Sequence, residues 1–347
     1  MTPAERDHEF AHDPETVLVT GATGFVGAHA ARALVDAGHD VVATDVSTDD
    51  LRLRKLGVRD DVALRRLDLT DPTAVVRTVR ETGATRVVHL GAVTSLLARD
   101  EPRSAVRVNV VGTNNVLEAA RTLDDQVARV AWASTMAVYG PASAYPERAV
   151  DEDDLVGPGS IYGASKAFCE SQAALYSDRF GVSAVGLRPT GVYGPFNTPG
   201  FLASEGGSVE RHRSPSGRFA GVFSRAAQGL EASETVRAGA TDWVYVGDVA
   251  RLFVAAAFAP EGDLSRRVYN AASGERATLP EVVELLLELV PEADVDLTVE
   301  GESPYVGRID GSAARRDLGV PPVSLREGVR AYVDAIRADQ GLPPVEG

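Results

Sequence analysis

A glycine-rich turn near the N-terminus constrains this chain more than any other feature. Thr16–Thr20 is a short β-branched apolar run that predicts a strand, and Ala28–Ala37 predicts a helix. Between them, Gly21, Gly24 and Gly27 are spaced three residues apart. This spacing between a strand and a helix is typical of a dinucleotide site, because it lets the backbone approach a pyrophosphate at the helix N-terminus.

Strands and helices alternate along the first 190 residues. Apolar runs predict further strands at 41–44, 63–67, 86–90, 129–133 and 184–187, and helices at 72–81, 102–122 and 162–180. Such alternation favours right-handed crossovers and a parallel sheet with helices on both faces. We therefore predict an α/β fold with a Rossmann-type doubly wound parallel sheet.

The pattern weakens after residue 194. Residues 195–218 contain three prolines and four glycines and predict a long irregular loop. Beyond it we expect strands at 243–246 and 268–271 and helices at 248–258, 279–289 and 325–338. The predicted division is an N-terminal tail at 1–14, a Rossmann-type domain at 15–188 plus about 241–272, a smaller C-terminal α/β domain at about 189–240 plus 273–338, and a C-terminal tail at 339–347.

Composition narrows the possible partners. The 347 residues include 50 acidic and 35 basic side chains, for a net charge of -15, which disfavours nucleic acid and anionic membrane surfaces as partners. No apolar run of 18 residues predicts a membrane helix. The single cysteine, Cys169, excludes an internal disulfide and a multi-cysteine metal site and fits a reducing compartment. We expect a cytoplasmic protein without a metal centre.

Acidic residues follow the next two predicted strands. Asp45 ends the second strand, where a carboxylate accepts hydrogen bonds from an adenosine ribose and repels a 2′-phosphate. This predicts NAD rather than NADP as the cofactor, although Arg52 or Arg54 could weaken the preference. Asp68 and Leu69 end the third strand and are placed to meet the adenine.

Tyr162 and Lys166 lie four residues apart on a predicted helix and therefore share one face. A free phenol has a pKa of about 10, and a neighbouring lysine cation and a nicotinamide cation both favour the phenolate. Tyr162 can then take a proton from a substrate hydroxyl while hydride leaves the same carbon. Lys166 is one of only two lysines in the chain, which argues against an incidental placement.

A hydroxyl-rich segment that contains Thr135 follows the strand at 129–133, at the sheet edge where open α/β folds bind ligands. Together these motifs resemble the extended short-chain dehydrogenase/reductase family, in particular its nucleotide-sugar epimerase and dehydratase branch, over almost the whole chain. The motifs that carry the resemblance are TGATGFVG at 20–27, HLGA at 89–92, NVVGT with Asn109, STMAVYG at 134–140, YGASK at 162–166, LRPTGVYGP at 187–195, DWVYVGDVA at 242–250 and YNAASG at 269–274.

The resemblance implies that NAD and a sugar or nucleotide-sugar substrate bind in one site. It implies that the Rossmann-type domain binds NAD and that the smaller C-terminal domain is the substrate-binding domain. It implies that Thr135 hydrogen-bonds the reacting sugar oxygen, Tyr162 acts as the base and Lys166 holds the nicotinamide ribose. It also implies a homodimer that packs two helices from each subunit. The implied cofactor residues are Gly21, Gly24, Phe25, Val26, Gly27, Asp45, Asp68, Leu69, Leu90, Gly91, Ala92, Asn109, Tyr162, Lys166 and Pro189. The candidate substrate residues are Thr94, Ser95, Thr135, Met136, Thr190, Gly191, Arg218 and Arg308.

Three departures from the family pattern limit the reaction. Met136 and Ala137 stand where the 4,6-dehydratases carry Asp-Glu, and neither can transfer a proton, so dehydration is disfavoured. The sequence 188–191 reads Arg-Pro-Thr-Gly where epimerases commonly have Arg-Tyr-Phe-Asn. Thr241 stands where an arginine often meets phosphate. The last two changes remove groups suited to a diphosphate.

Two functions stay open from the sequence. In a 4-epimerase for a UDP-glucose-like or UDP-galactose-like substrate, hydride passes to NAD and returns to the opposite face of a rotated keto sugar. In a dehydrogenase, a free sugar or sugar acid is oxidised and NADH leaves. The overall likeness favours the epimerase, and the missing diphosphate groups favour the dehydrogenase. The presence of Thr135, Tyr162 and Lys166 disfavours a catalytically idle NAD-binding protein.

Overall fold

The structure is a computed structural model that describes residues 13–197, 215–302 and 306–345. Its strands are β1 (Thr16–Thr20), β2 (Asp40–Asp45), β3 (Val62–Arg66), β4 (Arg86–His89), β5 (Arg129–Ala133), β6 (Ala184–Pro189), β7 (Gly191–Tyr193), β8 (Ala232–Ala238), β9 (Thr241–Tyr245), β10 (Val268–Ala271), β11 (Arg276–Ala277) and β12 (Val295–Glu302). Its α-helices are α1 (Phe25–Asp36), α2 (Leu51–Lys55), α3 (Pro72–Thr82), α4 (Ser95–Asp100), α5 (Pro102–Ala105), α6 (Thr113–Thr122), α7 (Ile161–Phe180), α8 (Pro215–Ala226), α9 (Val246–Phe258), α10 (Leu279–Leu289), α11 (Ser312–Leu318) and α12 (Leu325–Asp339).

A seven-stranded parallel sheet forms the larger part of the molecule. Its strand order is β10-β6-β5-β4-β1-β2-β3. The chain runs outward from β1 to β2 and β3 and then crosses back to β4 on the other side of β1. The carboxyl ends of β1 and β4 therefore flank a switch point, where parallel sheets of this kind open a crevice for ligands. The predicted α/β fold with a doubly wound parallel sheet is confirmed.

Each face of this sheet carries its own apolar core, which explains why the strands are continuous apolar runs rather than alternating ones. In β1, Val17 and Val19 are buried in the core beneath α1 and α9. Leu18 is buried in the opposite core, which α3, α6 and α7 cover. Successive side chains of a strand point to opposite faces, so both cores need apolar residues from one short strand.

A smaller part of the fold is built from short sheets and three helices. A three-stranded sheet has the order β11-β9-β7, and β12 pairs with β8. Helices α8, α10 and α12 pack together over these strands around Phe223, Leu286, Val329 and Tyr332. The domain boundaries proposed from the sequence stay a prediction, and β9, within the segment 241–272, pairs with β7 and β11.

Sequence patterns missed several elements of this smaller part. The strands β7, β8 and β12 were not predicted, because β7 is three residues long and the other two carry charged residues among their apolar ones. The predicted irregular loop at 195–218 is wrong at its C-terminal end, where α8 begins at Pro215. Residues 198–214 of that loop lie outside the described residues, as do most of the predicted N-terminal tail and the last two residues of the C-terminal one.

The long predicted helix at 102–122 is a single helical run with an unusual centre. It consists of α5, a π-helical segment at Val106–Gly112, and α6. π-Helical turns widen the backbone and are frequent at functional sites. Here the widened segment presents Asn109 to the interior.

Gly163 allows α7 to approach the segment that follows β5. A Cβ added at this position would overlap the carbonyl oxygen of Ala137. We expect Gly163→Ala to lower the free energy of unfolding by about 1–3 kcal/mol, because the helix must shift to relieve the overlap. Urea denaturation measures this change.

The matched control is Gly221→Ala in α8, where an added Cβ meets nothing within 4 Å. Alanine has a higher helix propensity than glycine by about 1 kcal/mol, so this variant should keep or raise the stability. A Gly163→Ala protein as stable as the wild type would contradict the close approach of α7.

Candidate active site

A cleft of about 1780 Å³ lies at the carboxyl ends of the parallel strands. The segments that follow β1, β2, β3, β4, β5 and β6 all contribute to its lining, and residues of β8, β9 and α10 form the opposite wall. Of the residues proposed from the sequence, those that line the cleft are Gly21, Gly24, Phe25, Val26, Gly27, Asp45, Asp68, Leu69, Leu90, Gly91, Ala92, Thr94, Ser95, Thr135, Met136, Tyr162, Lys166, Pro189, Thr190 and Gly191.

The turn after β1 has the backbone shape that a bound pyrophosphate requires. Gly21 has a φ of 69°, and an added Cβ there would lie 2.6 Å from the backbone nitrogen of Gly91. A Cβ at Gly27 would overlap the carbonyl oxygen of Gly21. Helix α1 begins with Gly24 as its N-cap, and no side chain bonds its first N–H groups. Such an uncapped helix start beside a narrow backbone turn fits an anionic phosphate group.

A buried pair of polar residues holds this turn against the segment after β4. The Thr20 hydroxyl accepts hydrogen bonds from the backbone N–H groups of Leu90 and Gly91, both at 3.2 Å. The same hydroxyl lies 2.8 Å from Nδ1 of His89, whose Nε2 lies 3.0 Å from the hydroxyl of Thr113. Burial lowers the pKa of His89 to about 3, so the ring stays neutral near pH 7 and serves as a hydrogen-bonding spacer.

Asp45 lies at the cleft, and the glycine-rich turn after β1 fixes its carboxylate. Its Oδ2 accepts hydrogen bonds from the Thr23 backbone N–H at 3.2 Å and from the Thr23 hydroxyl at 2.8 Å. Arg52 donates to the carbonyl oxygens of Thr23 and Phe196, both at 3.0 Å. Arg54 forms an ion pair with Asp50 at 2.8 Å. Arg54 is thus engaged with Asp50, whereas Arg52 lines the cleft and interacts electrostatically with Asp45.

The residues expected near the adenine are fixed by local bonds. Asp68 accepts hydrogen bonds from the Thr70 backbone N–H at 2.9 Å and from the Thr70 hydroxyl at 2.8 Å, and these bonds lower the pKa of Asp68. Leu69 is buried, and its carbonyl oxygen accepts a hydrogen bond from Asn115. Both residues line the cleft.

Asn109 is fully buried and does not line the cleft. Its side-chain oxygen accepts a hydrogen bond from the Val93 backbone N–H at 2.8 Å, and its amide donates to the Val93 carbonyl at 2.9 Å and to the Ser165 hydroxyl at 3.0 Å. Ser165 in turn donates to the Tyr162 carbonyl oxygen. Asn109 therefore connects the segment after β4 to α7 and acts as a buttress.

The structure brings Thr135, Tyr162 and Lys166 together at one end of the cleft. The Thr135 hydroxyl caps a 3-10 turn by accepting from the Ala137 N–H at 3.1 Å, and it hydrogen-bonds the phenol of Tyr162. The Lys166 ammonium is buried and donates to the carbonyl oxygen of Ala133 at 2.7 Å.

Burial acts on both titrating groups in the direction that disfavours charge. It raises the pKa of Tyr162, against the smaller opposing effect of the Thr135 hydrogen bond, and it lowers the pKa of Lys166. Burial thus favours the neutral phenol of Tyr162.

The candidate substrate residues are not all at the cleft. Thr190 lines it, but its hydroxyl donates to the carboxylate of Asp242 at 2.9 Å. Arg308 is exposed and is absent from the cleft lining, so its assignment to the substrate is corrected. Its segment forms an isolated bridge, through Ile309, to Val150. The side chain of Arg218 lies outside the described residues.

The two family departures on the substrate side meet each other. A Cβ at Gly191 would lie 2.8 Å from Cγ2 of Thr241 and 2.9 Å from the carbonyl oxygen of Asp242. Strands β7 and β9 therefore approach too closely for a larger residue at position 191. On the same wall, Arg237 of β8 lines the cleft. Sequence reasoning missed Arg237 because it did not identify β8.

Within the residues that the structure describes, no helix has the length and apolarity required to span a membrane. No group of three or more histidine, cysteine or acidic side chains is arranged there to hold a metal ion.

Comparison with known proteins agrees with this geometry. Residues 17–272 match the model of the NAD dependent epimerase/dehydratase family. The chain is 29% identical to UDP-glucuronate 4-epimerase 4 of Arabidopsis thaliana over 344 residues, which cover 92% of this chain and 74% of that protein. It is 30% identical to UDP-glucose 4-epimerase of Mycolicibacterium smegmatis over 335 residues, which cover 92% and 98% of the two chains.

Solved structures show the same architecture. The UDP-glucose 4-epimerase of Thermus thermophilus in complex with NAD superposes with a TM-score of 0.75 at 29% identity, over 93% of this chain and 99% of that one. L-threonine 3-dehydrogenase from Trypanosoma brucei superposes with a TM-score of 0.78 at 23% identity, over 96% and 99% of the two chains, which is a likeness of fold.

Proposed function

Because the chain belongs to the NAD dependent epimerase/dehydratase family, we propose that it is a nucleotide-sugar 4-epimerase for a UDP-glucose-like or UDP-galactose-like substrate. One observation carries the proposal. The hydroxyl of Thr135, the phenol of Tyr162 and the ammonium of Lys166 converge in the cleft. The glycine-rich turn after β1 lines the same cleft. The relatives named as 4-epimerases, aligned over more than nine tenths of this chain, support the same reaction.

The cleft fits NAD as the cofactor. The uncapped start of α1 and the glycine turn would hold the pyrophosphate, Asp45 would accept from the adenosine ribose, and Lys166 would donate to the nicotinamide ribose. When bound, NAD would supply a hydride acceptor and donor beside the sugar carbon, and its positive ring would favour the phenolate of Tyr162.

The side chains of the protein carry out the proton transfer in the proposed reaction. Thr135 donates a hydrogen bond to the Tyr162 oxygen and so favours the phenolate. Tyr162 removes the proton from the sugar 4-hydroxyl while the carbon becomes a ketone, and it returns the same proton when the ketone is reduced from the other face. No net proton or hydride is consumed, so one turnover inverts a single stereocentre.

A dehydrogenase that releases NADH is the second candidate. The contact between Gly191 and Thr241 favours it, because neither residue offers a donor of the kind that holds a diphosphate. Arg237 also lines the cleft, but because a UDP-sugar and a sugar acid are both anionic, its charge does not separate the two candidates. Elimination of water is disfavoured, because Met136 and Ala137 line the cleft beside Thr135 without an acid or base.

An assay with NAD and single substrates separates the two reactions. The substrates are UDP-glucose, UDP-galactose, free aldoses and aldonates, and the readouts are NADH absorbance and product stereochemistry. We expect inversion of a UDP-sugar without accumulation of NADH. Stoichiometric NADH from a free sugar, without inversion of a UDP-sugar, would reject the epimerase in favour of the dehydrogenase.

Tyr162→Phe should reduce kcat by about 100-fold or more, because general acid–base catalysis typically contributes at least that factor. The matched control is Tyr176→Phe on the same helix, whose hydroxyl bonds Asn114 and Glu118 and which is not part of the cleft lining. That variant should keep the wild-type rate. Full activity in Tyr162→Phe would show that the base lies elsewhere.

Asp45 should set the preference for NAD. We expect NADH to bind more tightly than NADPH, as measured by cofactor fluorescence, and Asp45→Ala to weaken NADH binding by about tenfold through loss of charged hydrogen bonds. Asp60→Ala removes the same charge at an exposed residue outside the cleft lining and should change the affinity ratio little. A wild-type preference for NADPH would contradict the role of Asp45.

Helix α7 supports the proposed homodimer. Ile161, Phe168 and Leu175 are spaced seven residues apart along it and have exposed fractions of 47%, 53% and 51%. An exposed apolar stripe of this kind is typical of a helix face that is covered by a partner.

Phe168→Glu should shift the protein from dimer to monomer in sedimentation experiments, whereas Leu155→Glu, at a loop residue exposed to 86%, should not. A monomeric wild type would reject the dimer.

The cytoplasmic location also remains a prediction.

A further inference from the structure

The end of β5 is joined to α7 by three contacts in register. Tyr162, Lys166 and Glu170 are four residues apart and share one face of α7. Thr135 bonds Tyr162, the Ala133 carbonyl accepts from Lys166 at 2.7 Å, and the Ser134 hydroxyl donates to Oε1 of Glu170 at 2.5 Å. The proposed reaction uses Thr135, Tyr162 and Lys166. It leaves the buried Ser134 without a role.

Glu170 is a rigid partner for Ser134. Arg188 of β6 binds it through two parallel hydrogen bonds of 2.7 Å, from Nε to Oε1 and from Nη2 to Oε2. The Arg188 side chain is 6% exposed and that of Glu170 is 11% exposed. A paired, bidentate geometry of this kind fixes the carboxylate in position as well as in charge.

The same arginine also holds the far side of the segment that carries Thr135. Its Nη1 donates to the Tyr139 hydroxyl at 2.6 Å, and Tyr139 donates to Oδ1 of Asn270 at 2.8 Å. Burial raises the pKa of Tyr139 to about 12, so this link keeps its protonation across the neutral range. Thr135 is therefore anchored on one side through Ser134 and on the other through Tyr139.

We propose that Ser134, bound to the Glu170–Arg188 pair, is a positioning residue for Thr135. The Ser134 hydrogen bond sets the direction of the chain at the end of β5, so that the next hydroxyl reaches the phenol of Tyr162. This inference rests on the proposed catalytic roles of Thr135 and Tyr162. A displacement of a reacting group by about 1 Å can reduce a rate by about 100-fold, so a single hydrogen bond at this point has a measurable effect.

Ser134→Ala tests the inference, because it removes the hydroxyl and leaves the ion pair intact. We expect kcat to fall by about tenfold, within the range that misplacement of a catalytic group produces, with KM for the UDP-sugar and the affinity for NADH within about twofold of wild type. We also expect the acid limb of the kcat pH profile to move to higher pH. The reason is that Thr135 favours the phenolate, so a displaced Thr135 leaves Tyr162 with a higher pKa and the base protonated over a wider range.

A double-mutant cycle separates positioning from a general loss of structure. Thr135→Val has no hydroxyl to position, so adding Ser134→Ala to it should cost less than about twofold more. Ser134→Thr retains a hydroxyl and should recover most of the rate, which keeps the test decisive if the alanine variant folds poorly.

Ser183→Ala is the matched control. Its hydroxyl also joins an arginine–glutamate pair, at 2.9 Å from Nε of Arg129 and 3.3 Å from Oε2 of Glu261, but at the opposite end of the sheet. It should keep the wild-type kcat and pH profile. A Ser134→Ala enzyme with unchanged kcat, or a fully additive loss in the double mutant, overturns the inference. Full activity in Thr135→Val overturns instead the proposed function on which it rests.

Discussion

The close approach of two backbone segments, the turn after β1 and the segment after β4, is the contact on which the rest of the site depends. Gly21 meets Gly91 at a distance that admits no Cβ, and the Thr20 hydroxyl ties both segments by accepting from two N–H groups. His89 fills the space behind that hydroxyl without carrying a charge. Because these groups are buried and mutually bonded, the turn that leads into α1 is held in place by the protein itself, and little ordering of this turn would oppose the binding of a ligand.

Helix α7 connects these two segments to the proposed catalytic residues. Its inner face carries the phenol, the ammonium and Glu170 in three successive turns, and Ser165 links it through Asn109 to the segment after β4. Gly163 lets the helix lie against the Ala137 carbonyl. The Lys166 cation is buried with a backbone carbonyl as its hydrogen-bond acceptor, which is costly in the protein alone.

Sequence patterns predicted the large sheet well and the smaller sheets poorly, for physical reasons. The strand at Arg129–Ala133 was predicted with correct bounds, because a strand buried on both faces is mostly apolar. The glycine turn was located correctly, but α1 begins at Phe25, three residues before the predicted start of the helix. Strands β8 and β12 pair only with each other, so they tolerate charged residues. Because β8 was not predicted, Arg237 was not identified as a residue of the cleft. The Thr20–His89 and Ser134–Glu170 bonds join residues 69 and 36 positions apart, and no local pattern encodes such a pairing. Arg308 was named for its charge alone, and charge does not determine whether a side chain faces the cleft.

The geometry also changes how the family departures bear on the reaction. Taken from the sequence, the glycine at 191 and the threonine at 241 are two separate losses of a diphosphate contact. In the fold they are one feature, because Thr241 Cγ2 and the Asp242 carbonyl occupy the space that a side chain at 191 needs. The case for a free-sugar substrate therefore has one structural cause rather than two independent ones.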